Sequence, residues 1–272
     1  MAEIGLAALF TLFLWWFSTG LIIYLDGLRR ETFGWTMLGA TTLLLAALFG
    51  LHALSREDGA AGAWLGFLCG VMCWAWIEIA FLTGVITGPR RTACPPTLQG
   101  FARLRAAVAT VLWHEIAIVA VAGLVIALTW GAPNQIGTWT FVAFAIMRLS
   151  AKLNLYLGVR NRSESFLPDH LRYLDSFFPR KPMNALFPFS VLAGLATTVL
   201  LLLAAAAPDA TRHEAVGFAL LATLVALGLL EHIFMVLPVP ADALWRWGLA
   251  SRAIPPTARP AGPNPPVHRG SP

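Results

Sequence analysis

The chain has 272 residues, 58% of them hydrophobic and only 12% charged, with a mean hydropathy of +0.70. Such a composition belongs to an integral membrane protein, and one helical bundle uses nearly all of this length, leaving no room for a second globular domain. The formal net charge of +5 is no nucleic-acid signal, because the basic residues gather in one set of loops, where they report membrane orientation and contact with anionic headgroups.

About 20 apolar residues cross a hydrocarbon core. By that measure the spans fall at 4–25, 35–54, 61–86, 106–130, 138–158, 185–207 and 215–237. This predicts an all-α, seven-helix polytopic domain over residues 1–253, followed by a Pro-rich disordered tail over 254–272. The first run carries Glu3 and no basic stretch before it, so it reads as a retained span and not a cleaved signal. Along span three, Gly62, Gly66 and Gly70 form a small-residue strip that suits close helix packing, inside the bundle or at a dimer seam. Cys69 and Cys73 lie on one face of the same span without a nearby His, which reads as core packing. Trp35, Trp64, Trp130 and Trp139 stand at span ends, as interfacial aromatics do, and His52 reads as an interfacial histidine. After the last span, residues 241–249 carry Trp245 and Trp247 around Arg246, a pattern for a segment lying in the interface plane.

The connections alternate in charge. Those after spans one, three and five, with the tail, hold fifteen Lys and Arg residues, against Arg56 and Arg212 on the other side. The positive-inside bias therefore places the N-terminus outside and the C-terminus in the cytoplasm.

Seven ionisable residues fall inside the spans: Glu78, His114, Glu115, Arg148, Lys152, Glu231 and His232. A charge at the bilayer centre costs ~2.5–3.5 kcal/mol, so these groups meet one another, water or a ligand. Counting from the span ends puts them roughly 9–18 Å in from the cytoplasmic side. Three carboxylates opposite Arg148 and Lys152 predict a nearly neutral polar layer, with Asn154 beside it. Structural pairing, a proton path, and ligation of a metal or pigment by His114 or His232 all remain open for this cluster. The adjacent pairs His114-Glu115 and Glu231-His232 point about 100° apart on a helix, which argues against a di-iron Glu-x-x-His centre. No nucleotide, hydrolase or zinc-protease motif occurs, so no catalytic residue is assigned. The loop over 159–184 is the longest connection; its Phe166, Asp169, His170, Arg172 and Tyr173 suit an amphipathic cap on the bundle or a docking surface.

Longer strings carry a family resemblance. They include Trp15-Trp16-Phe17-Ser18-Thr19-Gly20, Phe81-Leu82-Thr83-Gly84 with Thr87-Gly88-Pro89-Arg90, and Pro133-Asn134-Gln135. Met147-Arg148-Leu149-Ser150-Ala151-Lys152-Leu153-Asn154, Phe166-Leu167-Pro168-Asp169-His170-Leu171-Arg172-Tyr173 and Leu230-Glu231-His232 complete the set. From about Trp15 to Leu249 the chain resembles the photosynthetic complex assembly protein 2 family (PuhE type) of phototrophic bacteria. The resemblance implies a multi-pass inner-membrane assembly factor for the reaction centre and core light-harvesting complex. Its partners would be membrane lipids and those subunits, with bacteriochlorophyll as a candidate cofactor. It carries no catalytic or ligand residue across. A proton-coupled transporter and a membrane enzyme of bacteriochlorophyll or metal chemistry are the alternative expectations.

Overall fold

The structure is a computed structural model that describes residues 2–162, 166–237 and 239–252. The Pro-rich tail expected over 254–272 lies outside the described residues. Seven helices are long and apolar enough to cross a membrane: α1 (Ala2–Asp26), α2 (Phe33–Leu54), α3 (Ala60–Leu82), α4 (Gly100–Thr129), α5 (Ile136–Leu157), α6 (Phe187–Ala205) and α7 (Arg212–Phe234). A short helix, α8 (Arg246–Leu249), follows. The chain is an all-α polytopic membrane bundle.

Helix ends differ from the apolar runs by a few residues, each for a local reason. α3 stops at Leu82, short of position 86, because Gly84 turns the chain at φ +78°. α4 starts at Gly100, ahead of position 106, and carries Arg103 within it; that guanidinium donates to the Phe177 carbonyl and stacks over Tyr156 at 4.5 Å. Its stem thereby covers apolar surface while its charge sits at the helix end. α6 has Pro188 in its first turn, where no N–H is needed. α7 opens with a capping box, Thr211 and Glu214 each satisfying the other's backbone N–H.

α3 and α7 form the interior, and α1, α2, α4 and α6 turn apolar faces outward. Phe67, Ala63, Val216 and Leu220 are wholly buried between them, whereas Leu9, Phe13, Phe49, Val119 and Leu203 are exposed. The exposed set is as apolar as the core because its solvent is lipid, so no helix here needs a polar outer stripe. The glycine strip serves the bundle itself: a Cβ on Gly70 would lie 2.6 Å from the Gly137 carbonyl of α5, and one on Gly66 would press on Asn134. Gly62 meets the Glu57 backbone in the same way. Trp35, Trp130 and Trp139 are exposed at helix ends, while Trp64 packs edge-on against Phe10.

At the N-terminal end of α3 and α5, Asn134 knits three helices. Its Nδ2 donates to the carbonyls of Leu54 (3.0 Å) and Gly62 (2.9 Å), and its Oδ1 accepts from the Ile136 amide. Asn134→Ala would remove three hydrogen bonds that join the ends of α2 and α3 to the start of α5 and leave the Ile136 amide unpaired; we expect a loss of about 2 kcal/mol, read as a lowered unfolding midpoint in mild detergent.

The opposite end carries most of the basic residues and is closed by two segments. Residues 169–177 form a 3₁₀ stretch whose Leu171, Leu174 and Phe177 are buried, the first two against Phe81. Residues 241–252 fold back onto α1. Trp245 is buried and donates to the Trp16 carbonyl (2.9 Å), while the Trp16 indole donates to the Leu244 carbonyl (2.9 Å). The two backbones touch where a Cβ on Gly248 would lie 2.5 Å from the Gly20 carbonyl, and Arg252 pairs with the buried Asp26 at 2.6 Å. An indole with an apolar body and one N–H can be buried when that N–H finds a carbonyl, and here both do.

Candidate functional site

Between α1, α3, α4, α5 and α7, and roofed by Arg162, the 166–178 segment and Trp245, lies a cavity of about 520 Å³. All seven ionisable residues picked out from the sequence line it. Aromatic and aliphatic side chains, among them Trp15, Trp74, Phe81 and Phe144, make up most of the remaining wall. The volume is within the ~300–1,000 Å³ range of sites for small molecules and cofactors.

Two ion pairs cross the cavity. Arg148 of α5 meets Glu78 of α3 at 3.0 Å, and Lys152, one turn on, meets Glu115 of α4 at 2.5 Å. The i, i+4 spacing aims both cations from one face of α5 at two different helices. Glu231 departs from the expected pairing with these cations: it accepts a hydrogen bond from the Trp15 indole at 2.6 Å. It is surrounded by protein yet open to the cavity space, so its carboxylate faces the lumen. The layer therefore holds one more carboxylate than cation. Glu78 stands four residues from Leu82 and Glu231 three from Phe234, or ~4.5–6 Å along the helix axes.

The two candidate histidines differ. His232 Nδ1 lies 2.8 Å from the Gly228 carbonyl, so it carries the proton, and Nε2 lies 2.9 Å from the Ser150 hydroxyl. Both nitrogens are engaged. Ser150 leads on to Ser190 (3.1 Å), and Asn154 donates to Ser190 and to the Ser150 carbonyl, each at 3.0 Å. Asn184 in turn donates to Asn154 Oδ1 at 3.1 Å, so Asn154 ties α5 to α6 and stands apart from the cavity.

His114 is 1% exposed, stacks beside Phe81 with ring centroids 4.4 Å apart, and has no hydrogen-bond partner at either nitrogen among the described residues. A buried imidazole without a partner is costly, which singles this one out. Its backbone is held from an unexpected quarter. The 83–91 segment lies against α4, where the His114 amide donates to the Thr87 carbonyl (2.9 Å) and the Arg90 amide donates to the Ala109 carbonyl (3.1 Å). Gly88 permits this approach, since a Cβ there would lie 2.2 Å from the Ala109 carbonyl oxygen. The Thr87-Gly88 string was visible in the sequence, but its role depends on a helix more than 20 positions away.

The loop residues divide. Phe166 packs edge-on against Trp245, while Asp169 and Arg172 form an exposed pair at 3.0 Å, so Asp169 is spoken for and makes no acid–base pair with His170. His170 and Tyr173 turn inward. Desolvation lowers the His170 pKa from its ordinary value, opposed by the nearby Leu82 carbonyl, and desolvation likewise raises that of Tyr173. Among the described residues, no three His, Cys, Asp or Glu side chains are placed to hold a metal ion together.

The chain is 40% identical over 250 residues to the "Uncharacterized 30.4 kDa protein in puhA 5′ region" of Rhodobacter capsulatus, which covers 90% of this chain and 91% of that protein. No solved structure matches it. The model of one family, described as "Protein of unknown function (DUF3623)", matches residues 1–255, from the start of α1 to just past the segment that folds back onto it. The chain belongs to the DUF3623 family.

Proposed function

We propose that this protein is a membrane assembly factor for the photosynthetic reaction centre and core light-harvesting complex, of the assembly protein 2 (PuhE) type, and that it holds bacteriochlorophyll at His114 for delivery. The observation that carries the reading is the buried His114 imidazole, unpartnered at both nitrogens, on the wall of a large, mainly apolar cavity. A bare zinc or iron ion takes three or four protein donors, and a non-haem iron site takes carboxylates as well. Among the described residues no three donors are placed to share an ion, and His114 is the imidazole of this wall with both nitrogens unengaged, which suits a metal that brings its own macrocycle and takes one ligand from the protein. When bound, the pigment would supply the magnesium that the imidazole ligates. Phe81 and Phe144 would flank an apolar ring, and the ion pairs would anchor its polar substituents.

The relative encoded in the puhA 5′ region of a phototroph supports the process. The alternating loop charges support placement in the bacterial inner membrane with a cytoplasmic C-terminus. The partners in this reading are membrane lipids and reaction-centre or light-harvesting subunits.

Purification in mild detergent from pigment-replete membranes is expected to yield protein with bacteriochlorophyll absorbance, and His114→Leu to lose it while keeping its helix content. Removal of the gene is expected to lower the reaction-centre and core antenna bands. Colourless wild-type protein, together with normal assembly by His114→Leu, would sink the reading. A proton-coupled carrier is the second reading, favoured by the lumen-facing Glu231 carboxylate; proton flux in proteoliposomes that Glu231→Gln abolishes would establish it in place of delivery.

A further inference from the structure

A second hollow, of about 150 Å³, lies at the basic end between the turn after α3, Arg30 and the 169–177 stretch. Arg30 and Arg91 reach it from separate parts of the chain and meet His170, Tyr173 and Thr87 there. Among the described residues no carboxylate lines it, and Glu31 and Asp169 are engaged elsewhere, Glu31 with Arg29 (2.9 Å) and Asp169 with Arg172 (3.0 Å). Neither Arg30 nor Arg91 has a carboxylate partner among the described residues, and Arg91 makes one long contact, 3.3 Å, to the Gly84 carbonyl. Three polar atoms in its wall, His170 Nε2, Tyr173 Oη and Thr87 Oγ1, are buried; the two hydroxyls face each other, and none of the three completes a hydrogen bond of full geometry among the described residues. Gly84 makes its floor, with φ +78° and no room for a side chain, since a Cβ would lie 2.9 Å from the His170 ring.

Two guanidinium groups, two hydroxyls and an imidazole converging without a counter-charge are the donor set of a tetrahedral oxyanion. We propose that this hollow binds a phosphate group, presented by an anionic lipid headgroup or by a free phosphate ester. The position fits: the basic end of the bundle is where the chain would meet anionic headgroups. Burial keeps the Tyr173 hydroxyl protonated, so it offers a proton to the anion, and a bound anion favours the imidazolium form of His170, which then donates from Nε2. The inference is independent of pigment binding, although the two sites share a wall, because Thr87 borders the hollow while its carbonyl holds the His114 amide.

The test uses delipidated full-length protein in detergent, titrated with phosphatidylglycerol, phosphatidylcholine or inorganic phosphate and read by native mass spectrometry. Wild type is expected to retain one phosphatidylglycerol per chain, and R30Q/R91Q to bind it at least about tenfold more weakly. Arg105→Gln, which removes a charge from the same end outside the hollow, is expected to bind as wild type. Competition by inorganic phosphate would identify a free phosphate ester as the ligand, and its failure to compete a lipid. His170→Gln gives a milder change at the same site and is expected to weaken binding without altering the unfolding midpoint. Equal binding by wild type and R30Q/R91Q, or an equal loss in Arg105→Gln, would overturn the proposal.

Discussion

Arg148→Met is expected to lower stability in detergent by about 2–3 kcal/mol and to disturb the cavity more than any other single side-chain removal. The substitution keeps an unbranched stem but leaves Glu78, 13% exposed, without its cation, and it takes away the positive charge nearest Glu231. Breaking a fully buried pair costs about 3–5 kcal/mol, because the surviving charge stays desolvated. The figure here is discounted because the Arg148 side chain is 36% open to the cavity and water screens it there. A double-mutant cycle provides the check. Glu78→Gln with Arg148→Met should recover the part of the loss that comes from Glu78, which then no longer stands charged without its cation, while the part felt by Glu231 stays. If the double variant is as unstable as Arg148→Met alone, packing of the guanidinium stem and not charge pairing holds α3 to α5.

Gly88→Ala is the second large effect, and it acts through backbone. A single methyl at this position meets the Ala109 carbonyl oxygen at 2.2 Å and the Thr110 carbonyl carbon at 2.5 Å. Neither neighbour is the flexible end of a side chain, so the 83–91 segment must lift off α4. Overpacking of this kind costs about 1–3 kcal/mol, and here two main-chain hydrogen bonds would go with it, so a value near the top of that range is expected. The His114 amide would lose its acceptor at Thr87, and the imidazole would move. Gly88→Ala should therefore reduce bacteriochlorophyll retention even though residue 88 does not line the large cavity. Amide hydrogen exchange over residues 109–114, measured on the detergent-solubilised variant, should rise severalfold. Unchanged exchange there would show that the segment does not brace α4.

The C-terminal segment carries a local signal that does not name its packing partner. Trp245, Arg246 and Trp247 after two prolines have the composition of an interfacial helix, since aromatic and basic residues suit the headgroup layer. The same residues also suit a docked strap when a glycine opposite lets the backbone approach. Gly20 of α1 is that glycine, more than 200 positions earlier. Asp26 gives no signal in the sequence for a related reason. At a span end it resembles an ordinary solvated loop anion, and only the return of Arg252 to it at 2.6 Å shows that it is buried and paired.

The sequence by itself determined the membrane class, the seven helices and the membership of the polar cluster. Those follow from terms that do not depend on distant partners: an apolar run of sufficient length must become a helix in lipid, and a charge within it must turn away from lipid. Tertiary structure decided what each member of the cluster does. His114 and His232 each adjoin a glutamate in an apolar span, yet helix rotation gives His232 the Ser150 hydroxyl and the Gly228 carbonyl and leaves His114 with Phe81 alone. It likewise gave Glu231 an indole in place of a cation. Rotation and register are set by contacts such as Gly70 on Gly137 and Gly88 on Ala109, where the missing side chain is what allows approach. Such contacts leave no periodic trace along the chain, because each is one residue wide and its partner lies on another helix.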